Sequence, residues 1–167
     1  MSDLGAARTL LEHLIDRILP VFDRVVSRIP SDQLEFRASD ANMTAAELGY
    51  HVYQLLYVLF RAVEQGRLYV DVLSEVPFDE EAVTHPDDIL AYGERVRRYL
   101  RERAPALTEA QVTARVMGGG HTNDTGLKCI RLMLEEAVHH RGQLQVYLRL
   151  LGVEPPYLYG WPESDPS

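Results

Sequence analysis

Apolar residues recur along this chain at three- and four-residue spacings, the period of an α-helix that buries one stripe. Leu4, Ala7, Leu11, Leu14, Ile18, Phe22, Val25 and Ile29 follow that period and predict a first helix over residues 4 to 29. Pro20 falls inside it and is expected to bend it or split it in two, while Pro30 and Ser31 end it. The segment from there to Asn42 has no sustained period and reads as a loop. Thr44 followed by Glu47 is a capping-box pattern, and Leu48, Leu55, Val58, Leu59 and Ala62 carry a second helix from about 44 to Gly66. The stretch 67–83, with Val70, Val72, Val76 and Pro77, has no clear period and reads as a crossover long enough to travel the length of a bundle.

Pro86 suits a first-turn position, and Asp87 and Asp88 suit the positive end of a helix. Arg95, Arg97, Arg98, Arg101 and Arg103 suit its negative end, so a third helix spans about 86 to 103. Thr108 and Gln111 repeat the capping pattern at a short helical turn, before Gly118-Gly119-Gly120 and Asn123-Asp124 break the chain. A fourth helix covers about 126 to 151 and stops at Gly152, with Pro155 and Pro156 beyond it. The tail through Trp161 reads as an irregular strap on the bundle. Four helices of roughly 18 to 26 residues, each about 30–40 Å long, with no competing strand pattern, predict an all-α four-helix bundle. Residues 1–167 are read as a single domain.

Composition narrows the function classes. A net charge of −8 argues against holding nucleic acid through its phosphates. Hydrophobic residues at 46% and charged residues at 25% are globular values and exclude a disordered chain. The single Cys129 excludes an internal disulfide and a Cys-rich zinc site. No apolar run approaches the roughly 18 residues of a membrane span, and the first residues, with Asp3 and Glu12, do not form a signal peptide. A soluble cytoplasmic protein is expected. Gly118-Gly119-Gly120 lacks the strand before it and the Lys-Ser/Thr after it that a phosphate-cradling loop requires.

The candidate chemistry lies in polar residues that point inward. At about 100° per residue, Cys129, Met133, Tyr147 and Leu151 fall within about 20° of His140 on the fourth helix, so that imidazole faces the core. Glu136 lies one turn earlier and about 40° away, while His139 and Glu135 turn toward solvent or a neighbouring subunit. On the second helix His51 aligns with Leu55, Val58 and Ala62. Two inward imidazoles each need a hydrogen-bond partner, a charge partner or a metal. Neutral imidazole and carboxylate suit zinc, nickel, iron or manganese, whereas the structural alternative is a hydrogen-bonded core histidine. Glu136 has its own alternatives, as a rim residue or an ion-pair partner of Arg61 or Arg131, and Glu47 is a competing source of a carboxylate beside His51. His13, His85 and His121 carry weaker signals.

Asn42-Met43-Thr44-Ala45-Ala46-Glu47-Leu48-Gly49-Tyr50-His51, then Glu136-Ala137-Val138-His139-His140-Arg141-Gly142-Gln143 and Tyr147-Leu148-Arg149, resemble the DinB/YfiT-like family of metalloenzymes over most of the chain. The resemblance implies an up-down-down-up bundle, in keeping with the long crossover. It also implies a metal triad built from one histidine on helix two and a His-x-x-x-His pair on helix four. His51 and His140 match the first and last of these, and Glu136 stands where the family usually has histidine. That departure leaves either a 2-His-1-carboxylate site or one of weakened affinity. Relatives include transferases that use low-molecular-weight thiols. The implied function is therefore a metal-dependent enzyme acting on a small molecule, by thiol transfer or metal-assisted hydrolysis, in which the open metal positions activate a thiol or water. The alternative is a non-catalytic metal-binding helical dimer or sensor. A homodimer is expected from the family and from apolar surface on helices one and three.

Overall fold

The computed structural model describes residues 2–68, 76–118 and 124–158. Val70 and Val72 of the crossover, Gly119, Gly120, His121 and Asn123 of the glycine-rich break, and the tail at Trp161 lie outside the described residues. The fold is all-helical. In chain order it comprises α1 (Asp3–His13), α2 (Leu19–Val26), α3 (Ala45–Gln65), α4 (Pro86–Arg103), a short α5 (Glu109–Thr113) and α6 (Gly126–Leu150). Among the described residues the β pairings are isolated bridges, Arg67 with Met117 and Arg115 with Thr125, and no strand forms. No helix among them is long and apolar enough to cross a membrane.

The first helix is split as Pro20 predicts, and the split takes a specific form. Leu14–Ile18 is a π-helical turn between α1 and α2, in which the Leu19 N–H reaches back to the Leu14 carbonyl. Pro20 has no N–H to offer, and in a regular α-helix its ring would collide with the carbonyl four residues earlier. One wider turn takes up that conflict without ending the helix. The loop from Pro30 to Asn42 contains one further 3-10 turn at Ser31–Gln33.

The other helix ends are set by their caps. Thr44 and Glu47 make both bonds of the capping box at α3, at 3.0 and 2.6 Å, and Gly66 closes that helix in the left-handed region. Thr108 and Gln111 cap α5 in the same manner. Thr125 caps α6, which closes just before Gly152 at φ 74°. At α4 the cap is His85, whose Nδ1 accepts the Asp87 N–H at 3.3 Å while Asp88 bonds back to its backbone.

α3 packs against α6 and α4, α1 and α2 pack against α6, and α2 also meets α4. Asp16 holds Arg101 at 2.9 Å and Asp23 holds Arg97, so the first helix runs antiparallel to α4. Tyr53 lies over Gly93 and Tyr57 meets Tyr99 at 5.1 Å, so α3 and α4 run parallel. Val63 meets Gly126 near one end of the α3–α6 seam and His51 meets His140 near the other, so that pair is antiparallel.

The core is aromatic as well as aliphatic, with Phe22, Tyr53, Tyr57, Phe60 and Tyr92 fully buried beside Leu11, Leu14, Leu56, Ile89 and Ile130. Burying Tyr53 requires a partner for its hydroxyl. It donates to Asp23, whose other oxygen takes the Arg97 guanidinium, and Arg97 also bonds Glu94 at 3.1 Å. One polar knot thus ties the first helix, α3 and α4 together. On helices one and three, where open apolar surface is expected, none of the large hydrophobics among the described residues is fully exposed, and Leu4, Leu10, Ile18, Leu90 and Tyr99 are half-buried. Among the described residues the exposed large hydrophobics are Met43, Met117, Val138, Val146, Leu150 and Tyr157.

Candidate functional site

The helical period of α6 turns His140 inward, and its 8% exposure bears out that reading. Cys129, Met133, Ala137, Leu144 and Tyr147 are buried along the same stripe, while Glu135 and His139 are exposed. His51 is half-buried, as are Leu55 and Val58 beside it. The fully buried face of α3, through Tyr53, Leu56 and Phe60, is turned away from them. His51 therefore stands at the edge of the α3–α6 seam, open on one side.

The two imidazoles meet edge to face, with ring centroids 5.1 Å apart. Glu136 is brought to the same place, its Oε2 lying 3.1 Å from His140 Nε2. His140 is thus its hydrogen-bond partner, while Arg61 bonds Glu64 and Tyr99. His140 Nδ1 lies 2.6 Å from Gln143 Oε1, a contact that the three-residue spacing could have suggested. Both ring nitrogens of His140 thus face oxygen acceptors. A neutral imidazole carries one N–H and can donate to only one of them, which leaves the other nitrogen's lone pair facing an oxygen.

Burial and the neighbouring His140 lower the pKa of His51, partly offset by Glu136. Its neutral, ligating form is favoured. Glu47, the alternative carboxylate, has one oxygen engaged by the Thr44 N–H in the helix cap. It still lines a cleft of about 430 Å³ beside His51, together with Arg37, Asn42, Met43, Tyr50, Gln54 and Glu80. Burial and a hydrogen bond to Glu80 raise the pKa of Tyr50, keeping its hydroxyl protonated as a donor. Tyr147 donates to the Met43 carbonyl at 3.0 Å, fastening the loop before α3 to α6. His13 and His85 lie away from this place, at the end of α1 and the start of α4.

The donor types fit a borderline divalent cation. Two donors bound to one ion at about 2.0–2.1 Å lie about 3.0–3.4 Å apart, and Glu136 Oε2 and His140 Nε2 already have such a spacing. A ligating histidine normally has its other nitrogen held by an acceptor, the part Gln143 plays here. Among the described residues, however, no three His, Cys, Asp or Glu side chains are gathered as a ready ligand set. His51 contributes ring contact with His140.

These features define an all-helical protein with a histidine-carboxylate pair at the edge of its core and a polar cleft beside it. Residues 10–144 match the DinB superfamily, and the chain belongs to it. It is 25% identical over 138 residues to the uncharacterized protein YjoA of Bacillus subtilis (strain 168), covering 79% of this chain and 82% of that protein. The crystal structure of that DinB-like protein superposes with a TM-score of 0.69 at 22% identity, covering 90% of this chain and 97% of the other. That likeness shows a shared fold.

Proposed function

We propose that this chain is a metal-dependent enzyme acting on a small molecule, with His51, Glu136 and His140 as ligands of one divalent cation: zinc, nickel, iron or manganese. The observation that carries the reading is the placement of His140, with Nδ1 on Gln143 and Nε2 on Glu136, two acceptors around one imidazole. The helix pairings support the up-down-down-up bundle in which the family resemblance places such a site.

When bound, the cation supplies a Lewis-acid centre that makes a thiol or a water nucleophilic near neutral pH. The remaining work belongs to the chain. Gln143 holds the ring of His140 in one orientation. Burial keeps His51 neutral and ready to donate its lone pair. Arg37, Asn42, Gln54 and the Tyr50 hydroxyl line the cleft through which a small polar substrate, including a low-molecular-weight thiol, reaches His51. The reactions this reading covers are transfer of that thiol to an electrophile and hydrolysis.

Elemental analysis of the purified full-length protein tests the reading. Stoichiometric metal, lost in both His51→Ala and His140→Ala, is the expected result. A metal-free protein that ignores added Zn²⁺, Ni²⁺ and Mn²⁺ overturns it. A second reading is a non-catalytic metal-binding or sensing module, in which the cation mainly stabilises the core. It predicts a thermal shift on chelation without turnover on any thiol or ester panel.

A further inference from the structure

Opposite charges line the cleft beside His51 without pairing with one another. Glu47, Tyr50, His51 and Gln54 stand at positions i, i+3, i+4 and i+7 of α3 and form one wall of it. Arg37 joins the cleft from the loop before α3, and Glu80 from the 3-10 turn Glu80–Ala82. The Arg37 guanidinium has no ion pair among the described residues, although two carboxylates line the same cleft.

Both carboxylates are held in place. Glu47 Oε2 accepts the Thr44 N–H at 2.6 Å, which fixes that side chain at the start of α3. Glu80 accepts the Tyr50 hydroxyl, and the buried Tyr50 ring packs on Phe78 with centroids 4.7 Å apart. A carboxylate has two oxygens, so each of these bonds leaves a second acceptor in a fixed position. The neutral groups complement them: the Ser39 hydroxyl donates to Asn42 Oδ1 at 2.5 Å, which leaves the Asn42 amide N–H groups to donate.

The cleft therefore has a positive pole on its loop side and a negative pole between α3 and the 3-10 turn. A purely anionic ligand would meet the two carboxylates, and a purely cationic one would meet Arg37. A molecule that carries both charges satisfies both poles, and about 430 Å³ is ample for a small one.

We propose that this cleft binds the head group of an α-amino acid, with Arg37 on the carboxylate, Glu47 and Glu80 on the ammonium, and the amino-acid side chain directed toward His51 and Gln54. A guanidinium takes a carboxylate through two parallel N–H bonds, and an ammonium has three N–H donors to divide between two acceptors. The assignment deepens the reading of this cleft as the substrate route and rests on it. Head-group recognition itself uses none of the three proposed metal ligands.

Nuclear magnetic resonance titration of the full-length protein, with chelator present, tests the assignment. The probe is S-methyl-L-cysteine at millimolar concentrations, a free amino acid whose sulfur forms no disulfide. Saturating shifts at the amides of Asn42, Glu47 and Gln54 are expected. The methyl ester of the probe lacks the carboxylate and its N-acetyl derivative lacks the ammonium, and each binds at least tenfold more weakly. Arg37 and Glu80 are exposed, so substituting them leaves the core intact. Arg37→Met weakens the amino acid at least tenfold and leaves the ester unaffected, whereas Glu80→Gln weakens the amino acid and leaves the N-acetyl derivative unaffected. The absence of any saturable shift overturns the proposal, as does an ester or N-acetyl derivative that binds as tightly as the parent. A protein that takes up metal yet fails this titration loses the head-group assignment and keeps the metal reading; a protein that ignores metal yet passes it does the reverse.

Discussion

His51 and His140 face each other across the seam of two antiparallel helices, their rings nearly perpendicular at 87° and their centroids 5.1 Å apart. This contact joins positions 89 residues apart and puts the half-buried imidazole beside the buried one. Glu136 and Gln143 complete the surroundings of the buried ring from its own helix.

Gln143 is expected to act on the metal through His140. Gln143→Leu removes the acceptor at Nδ1 and should lower zinc affinity about 10–100-fold while leaving the helix content unchanged. Isothermal titration with Zn²⁺ reads this out. Glu136→His should hold zinc at least as tightly as the wild type, and Glu136→Ala should bind it more weakly. Unchanged affinity in Glu136→Ala would reduce that carboxylate to a rim residue.

Acid should destabilise the metal-free protein through His51. Its pKa in the folded state is lowered by burial and by His140, against the opposing pull of Glu136, so the unfolded chain binds the proton more readily. The stabilising contribution is therefore fully present above the unfolded value of about 6.5 and is lost as pH falls toward the lower folded value. Melting temperatures recorded with chelator present should drop on acidification from neutral pH, and His51→Gln should flatten that slope. Equal slopes in the two proteins would remove His51 as the cause.

The Asp23–Tyr53–Arg97 knot should dominate the polar contribution to stability. Tyr53→Phe loses one hydrogen bond and should cost about 1 kcal/mol. Asp23→Ala leaves the Arg97 guanidinium and the Tyr53 hydroxyl without their shared acceptor and should cost about 3 kcal/mol. Urea unfolding distinguishes the two, and equal losses would show that Arg97 finds another partner.

Gly93 is the point where α4 comes close to α3. A Cβ at this position would land on the Tyr53 ring, which is itself fully buried. Gly93→Ala should therefore destabilise the fold by about 1–3 kcal/mol, against the usual gain from replacing a helical glycine with alanine. A stabilised Gly93→Ala variant in the same unfolding assay would show that Tyr53 has room to move.

The elements themselves could be read from the sequence because their causes are local. Helical spacing marks which residues share a face, and Thr44 with Glu47, Pro86, Thr108 with Gln111, and Gly152 mark where helices begin and end through neighbours three or four positions away. The same spacing turned His140 inward, His139 outward and Glu136 to the edge of the buried face. Other features had to wait for tertiary structure, because they depend on how helices rotate and slide against one another. Periodicity could tell that Pro20 disturbs a helix, but a choice between a bend and a π turn depends on keeping Leu14 and Phe22 in the same core. Nothing local links Asp23 to Tyr53 and Arg97. Nor could local spacing turn the more deeply buried face of α3 away from His51, since that rotation is set by Tyr53 packing over Gly93. Local chemistry determined which groups were available for a site; the packing of α3 against α6 decided which of them meet.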